Sequence, residues 1–111
     1  MGETQGSLVQ GTLDMLILKI LALEAMHGYG IAKRIEQISQ GVFSVNPGSL
    51  FPAFRRLERE GWVKPVWKST QNSRRAKFYA LTASGRKQLR SETDDWGRQV
   101  AAIGRILDAT S

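Results

Sequence analysis

Asn46-Pro47-Gly48-Ser49-Leu50-Phe51-Pro52-Ala53-Phe54-Arg55-Arg56-Leu57-Glu58-Arg59-Glu60-Gly61-Trp62 contains a short helix together with both of its end signals. Asparagine is a strong N-cap and proline is preorganised for a first turn. Ser49 is also a good cap, and residue type alone leaves the choice open. Leu50, Phe54 and Leu57 recur at four- and three-residue steps, which makes one apolar stripe. Gly61 ends the helix. Pro52 is tolerated because few backbone donors near an N-terminus have intrahelical partners.

Downstream, Trp62–Ser69 is rich in β-formers, and Pro65 makes it an edge strand or forces a bulge. Thr70–Arg75 is polar and turn-like. Ala76–Leu81 is a second strand with Phe78 and Tyr79 at its centre, so the two form a hairpin. Thr82 then caps a long helix, roughly Ala83 to Asp108. Upstream, Ile31, Ile35 and Ile38 mark a short helix stopped by Gly41, after which Val42 and Phe43 are expected to tuck inward. Before it, a pattern starting at Leu8 places Leu13, Leu16, Ile17, Ile20 and Leu21 on one helical face. Met15, Leu18 and Leu23 lie off that face, so this first helix must be covered on more than one side. It is expected to end near His27-Gly28, with the glycine in a left-handed closing conformation.

The chain has 111 residues, 41% of them apolar, which suits one packed domain. With no cysteine and one histidine, a disulfide scaffold, a thiolate site and a multi-histidine metal centre are all excluded. The net charge is +6, and it is not spread evenly. Residues 1–50 and 81–111 are nearly neutral. Residues 51–80 carry eight bases (Arg55, Arg56, Arg59, Lys64, Lys68, Arg74, Arg75, Lys77) against Glu58 and Glu60, which accounts for the whole excess. Such clustering is the electrostatic footprint of a polyanion binder, because each phosphate neutralised releases counterions. No secretory signal is evident, and the most apolar run, Leu13–Leu23, is interrupted by Asp14 and Lys19 and falls short of the ~20 residues a membrane span needs. A cytoplasmic protein without membrane association is expected.

The last helix carries a second signal. Leu89, Thr93, Trp96, Val100, Ile103 and Leu107 are spaced 4, 3, 4, 3, 4, an a/d heptad seam with Thr93 as its one polar member. At 1.5 Å per residue the helix runs on the order of 39 Å, more than the rest of so small a domain can cover. A bare seam of that length is rarely tolerated by a soluble monomer, so the simplest cover is a second copy.

Three helices, a hairpin and a final helix constitute a mainly α (α+β) fold. The reading is a winged helix-turn-helix, residues 1–82, with a coiled-coil-like dimerisation helix over 83–111. In such a unit the third helix enters the major groove of double-stranded DNA and the wing reaches the flanking backbone. The +6 block falls on those two elements.

At this point several stretches resemble the PadR-like transcriptional regulators. They are His27-Gly28-Tyr29, Asn46 to Phe54, Arg56 to Trp62, Arg74 to Thr82 and Ser84-Gly85-Arg86. Gln10 to Asp14 and Arg74 to Leu81 are similar to a subgroup found near permease genes. The resemblance runs over nearly the whole chain, and the single C-terminal helix is like that family's smaller type. It implies a homodimeric repressor on an inverted-repeat operator, released by a small phenolic or drug-like effector. It further implies that Tyr29 contacts backbone phosphate and that Ser49, Phe51 and Pro52 face base edges and thymine methyls. Lys33, Arg55 and Arg56 would anchor phosphates, and Lys68, Arg74, Arg75 and Lys77 would serve the wing. The family usually has tyrosine where this chain has Phe51, so any hydroxyl contact there is absent and operator sequence is affected. Trp96 reads by itself as a large residue of the seam; the resemblance adds that it would line a pore between protomers and stack a planar aromatic effector.

Nothing in the sequence supports an enzyme or a cofactor. His27 reads as a helix-end or packing residue. Gly28-Tyr29-Gly30 follows a helix and lacks the third glycine of a nucleotide loop. Asp94 and Asp95 point to different helix faces. Two rivals remain: a basic RNA-binding or ribosome-associated protein, and a winged helix used as a protein-interaction module. The first needs exposed stacking aromatics, whereas Phe54, Phe78 and Tyr79 read as core. The second leaves the basic block to an acidic partner.

Overall fold

A computed structural model describes residues 10–69 and 74–110. Its elements are α1 (Gln10–Leu23), β1 (Met26–His27), α2 (Gly28–Ile38), α3 (Pro47–Arg59), β2 (Val63–Ser69), β3 (Arg75–Leu81) and α4 (Ala83–Leu107). The expected helix start at Leu8 and most of the hairpin turn, 70–73, lie outside the described residues. The order is that of a winged helix, with α2 and α3 as the helical pair and β2–β3 as the wing.

α3 follows its sequence signals closely. The Asn46 side chain, not Ser49, caps it: Oδ1 accepts the Ser49 amide at 3.0 Å. Gly41 and Gly61 both take positive φ, +82° and +79°, at the ends of α2 and α3. Pro52 stands in the second turn, exposed, where its missing donor costs the Gly48 carbonyl its helical partner. β2 is an edge strand, paired residue for residue with β3 from Val63–Leu81 to Ser69–Arg75, so Pro65 sits there without a bulge.

The joint between α1 and α2 departs from expectation. α1 stops at Leu23, and Met26–His27 forms a third strand, antiparallel to β3 opposite Tyr79 and Phe78. Two residues carry no periodicity, and only the open edge of β3 makes them a strand. Gly28 is therefore the first residue of α2 rather than a left-handed stop. Its requirement is space, because a Cβ there would lie 2.9 Å from the Phe54 ring. His27 caps α2, its Nδ1 accepting the Gly30 amide at 3.2 Å.

The core gathers Ile17, Leu18, Ile20 and Leu21 of α1 with Ile31, Ile35, Leu50, Phe54, Leu57, Val63 and Tyr79. α1 meets α2, α3, α4 and β3, so Leu18 and Met15, off the main stripe, are buried as well. Three apolar residues expected inside are exposed: Leu23 and Ile38 at the last residue of their helices, and Val42 beyond the positive-φ pair Gln40–Gly41. Phe43 and Val45 pack against the core from that loop.

α4 is locked at its start. The Thr82 amide donates to the Trp62 carbonyl at 3.0 Å, and the Thr82 hydroxyl accepts the Gly85 amide at 3.0 Å. A Cβ on Gly85 would stand 2.1 Å from the Trp62 carbonyl oxygen, so only glycine lets α4 approach the α3–β2 corner. Leu89 still rests on the core. Beyond it the helix leaves the domain, giving a molecule 64 Å long and 21 Å thin.

Candidate nucleic-acid interface

The tip of α3 is built on a ladder of rings. Tyr79 stacks on Phe54 with centroids 4.3 Å apart, Phe54 meets Phe51 edge to face at 6.1 Å, and Phe51 meets Tyr29 in the same way at 6.1 Å. The ladder starts in the core and ends outside, with Phe51 39% and Tyr29 65% exposed. Gly28 opens the space in which the α2 and α3 rings meet. Edge-to-face aromatic pairs hold their geometry. Phe51 and Tyr29 thus form an exposed aromatic projection beside Ser49 and Pro52.

The bases around it divide into two groups. Arg56 is turned back onto α1, where its Nη2 lies 2.8 Å from Asp14 Oδ1, and the carboxylate is largely enclosed. Lys77 Nζ stands 3.6 Å from Glu58 Oε1, tying the wing to α3. Arg55, Arg59, Lys64, Lys68, Arg74 and Arg75 are exposed and have no carboxylate within 4.0 Å among the described residues. Lys33 is exposed on α2 and, with Arg34, Met26 and Phe78 among others, lines a hollow of about 370 Å³. Expected as two phosphate anchors on α3, Arg55 and Arg56 differ in this respect: Arg55 is free and Arg56 is engaged. The spacing alone could not reveal that, since Asp14 lies 42 residues away.

On the wing each of three cations lies over a ring: Lys68 over Phe78 at 5.1 Å, Arg75 over Trp67 at 5.3 Å and Lys77 over Tyr79 at 5.1 Å. Trp67, 53% exposed, was not singled out by sequence reasoning. Its alternation with Lys68 in a strand opposite Arg75-Ala76-Lys77 was the available signal.

With this geometry in view, the comparisons with known proteins are specific. The model of the transcriptional regulator PadR-like family matches residues 17–91. The chain belongs to that family. A solved transcriptional regulator from Clostridium thermocellum is 26% identical with a TM-score of 0.80, covering 87% of this chain and 94% of that one. A PadR family transcriptional regulator from Eggerthella lenta is 28% identical with a TM-score of 0.78, covering 90% and 85%. Transcriptional regulator YqjI of Escherichia coli is 32% identical over 62 residues, 56% of this chain but only 30% of that protein's length. The matched segment of this PadR-like regulator holds all of α2, α3, the wing and the first turns of α4.

The outer part of α4 is the second candidate surface. Its seam is progressively bare, from Trp96 at 42% exposed to Leu107 at 78%, and Ile106 alongside is exposed too. The Thr93 hydroxyl bonds the Leu89 and Arg90 carbonyls of its own helix, so the seam's polar member makes no demand on a partner. Among the described residues no group of His, Asp or Glu comes together to hold a metal, and no helix is long and apolar enough to cross a membrane.

Proposed function

We propose that this regulator binds double-stranded DNA as a homodimer and represses transcription from an inverted-repeat operator. The observation that carries the reading is the set of six exposed bases on α3 and the wing with no carboxylate within 4.0 Å among the described residues. Ser49, Phe51 and Pro52 enter the major groove, where Phe51 offers thymine methyls apolar contact without a hydroxyl. Tyr29, Lys33 and Arg55 hold phosphates, as do Lys68, Arg74, Arg75 and, from its looser pair, Lys77. Arg56 supports α3 from behind. Residues 83–111 act as the dimerisation unit through Leu89, Thr93, Trp96, Val100, Ile103 and Leu107, and the chain works in the cytoplasm without a cofactor or catalysis. A planar aromatic effector stacks on Trp96 and its mate and releases the operator.

Selecting bound duplexes from a random library tests the core of this. A palindrome with half-sites about 34–36 Å apart is expected. Preference for RNA of matched length would instead favour the RNA-binding rival, and loss of all partners on nuclease treatment would remove the protein-interaction rival. For the effector, a panel of planar aromatics is titrated into a Trp62→Phe/Trp67→Phe variant, whose remaining tryptophan is Trp96. No quench across the panel would sink that part.

A further inference from the structure

Arg75 differs from the other wing cations whose side chains are placed over rings. Lys77 divides itself between Tyr79 and the Glu58 carboxylate, and Lys68 presents a compact ammonium that any rotation of its stem can redirect. Arg75 holds its guanidinium carbon over the Trp67 indole, Cζ 5.3 Å from the ring centroid, and no carboxylate lies within 4.0 Å of it among the described residues. Stacking uses the face of a guanidinium and leaves its in-plane N–H donors free. The arrangement crosses the hairpin: Ser69 is opposite Arg75 and Trp67 opposite Lys77, so Trp67 and Arg75 are diagonal neighbours on one face of the sheet. That face also bears Val63 and Tyr79, which pack into the core. Towards its outer end the same face turns from core to solvent, and there the exposed indole has no packing partner among the core residues.

We propose that Trp67 is a positioning residue for DNA binding: it holds Arg75 with its plane fixed and its donor edge open, so that the wing grips a backbone phosphate bidentately. The inference rests on the DNA-binding reading above and extends it to a residue outside the basic set. The ordering of a flexible side chain is made before the complex forms, so less freedom is lost on binding.

The test is a double-mutant cycle on duplex affinity with the intact dimer. Trp67→Ala is expected to weaken binding about threefold. The salt dependence should be unchanged, because the charge remains. Arg75→Ala weakens binding more and lowers the salt slope by about 1. In the Arg75→Ala background, Trp67→Ala should then add nothing, and Trp67→Phe should restore most of the loss in the parent. An equal Trp67→Ala effect with and without Arg75 overturns the proposal, as does an Arg75→Ala protein of full affinity and slope. The free protein gives an independent reading: ring-current shifts of the Arg75 side-chain protons in NMR, lost in Trp67→Ala. Their absence in the parent overturns the stack itself. Failure of the parent to bind any duplex while those shifts are present overturns the DNA reading instead, and with it the phosphate grip.

Discussion

The winged-helix head and the outer half of α4 are both rich in apolar residues at helical spacing, and they end up in opposite situations. In the head, α1 is enclosed by α2, α3, α4 and β3, and residues such as Ile17, Leu18, Leu50 and Leu57 lose essentially all contact with water. In α4 the same chemistry, Val100, Ile103 and Leu107, stays in solvent because no described element reaches it. Charge shows the reverse. The head carries nearly all of the basic excess on its surface, whereas residues 81–111 are almost balanced. On the proposed reading, a surface for a polyanion stays hydrated and single-signed until its ligand arrives, and a surface for an identical helix stays apolar and nearly neutral, since like charges would repel their own copies.

The comparison fails most visibly if the junction between the two regions is not rigid. Gly85→Val, which forces side-chain atoms onto the Trp62 carbonyl, should displace α4 and destabilise the chain by about 3 kcal/mol or more, read as a fall in chemical-denaturation midpoint. A midpoint near that of the parent would mean α4 is not held at the α3–β2 corner. Next comes the seam. Val100→Asp should give a monomer by sedimentation at micromolar concentration, with operator affinity reduced on the order of 100-fold or more, because two half-sites are no longer engaged together. The head should keep its fold in this variant, as judged by circular dichroism. A parent protein already monomeric would remove the difference between the two regions.

The two neighbouring arginines make a finer contrast within the head. Arg55→Ala should weaken binding to all duplexes alike and reduce the salt slope by about 1. Arg56→Ala should leave the slope intact and cost about 1 kcal/mol of stability, since it strands the largely enclosed Asp14. Equal slopes for both variants would place Arg56 on the DNA after all. The smallest effect belongs to the cap: Asn46→Ala should lower stability by ~1 kcal/mol while Ser49→Ala leaves the cap hydrogen bond in place.

Local signals and tertiary facts separate cleanly here. α3, its Gly61 stop, the strand through Pro65 and the Thr82 cap were all legible, because each depends on residues within a few positions of one another, whereas the choice of edge over bulge at Pro65 came from the pairing with β3. The heptad seam was legible for the same reason, and its exposure follows from its length. The strand Met26–His27 was not, since two residues become a strand only when β3 offers them an edge. Nor was the need for Gly28 legible, which is the approach of Phe54, 26 residues on, rather than a backbone angle.

What the sequence determined by itself is therefore the winged-helix order, the place of the basic block and the unfinished face of α4. These rest on periodicity, capping and charge, which act over a few residues. Only the tertiary structure shows which neighbour each base has. Arg56 against Asp14, Lys77 against Glu58 and Arg75 over Trp67 are pairings between distant parts of the chain. A charge pattern counts cations equally, whereas the fold assigns each one a neighbour.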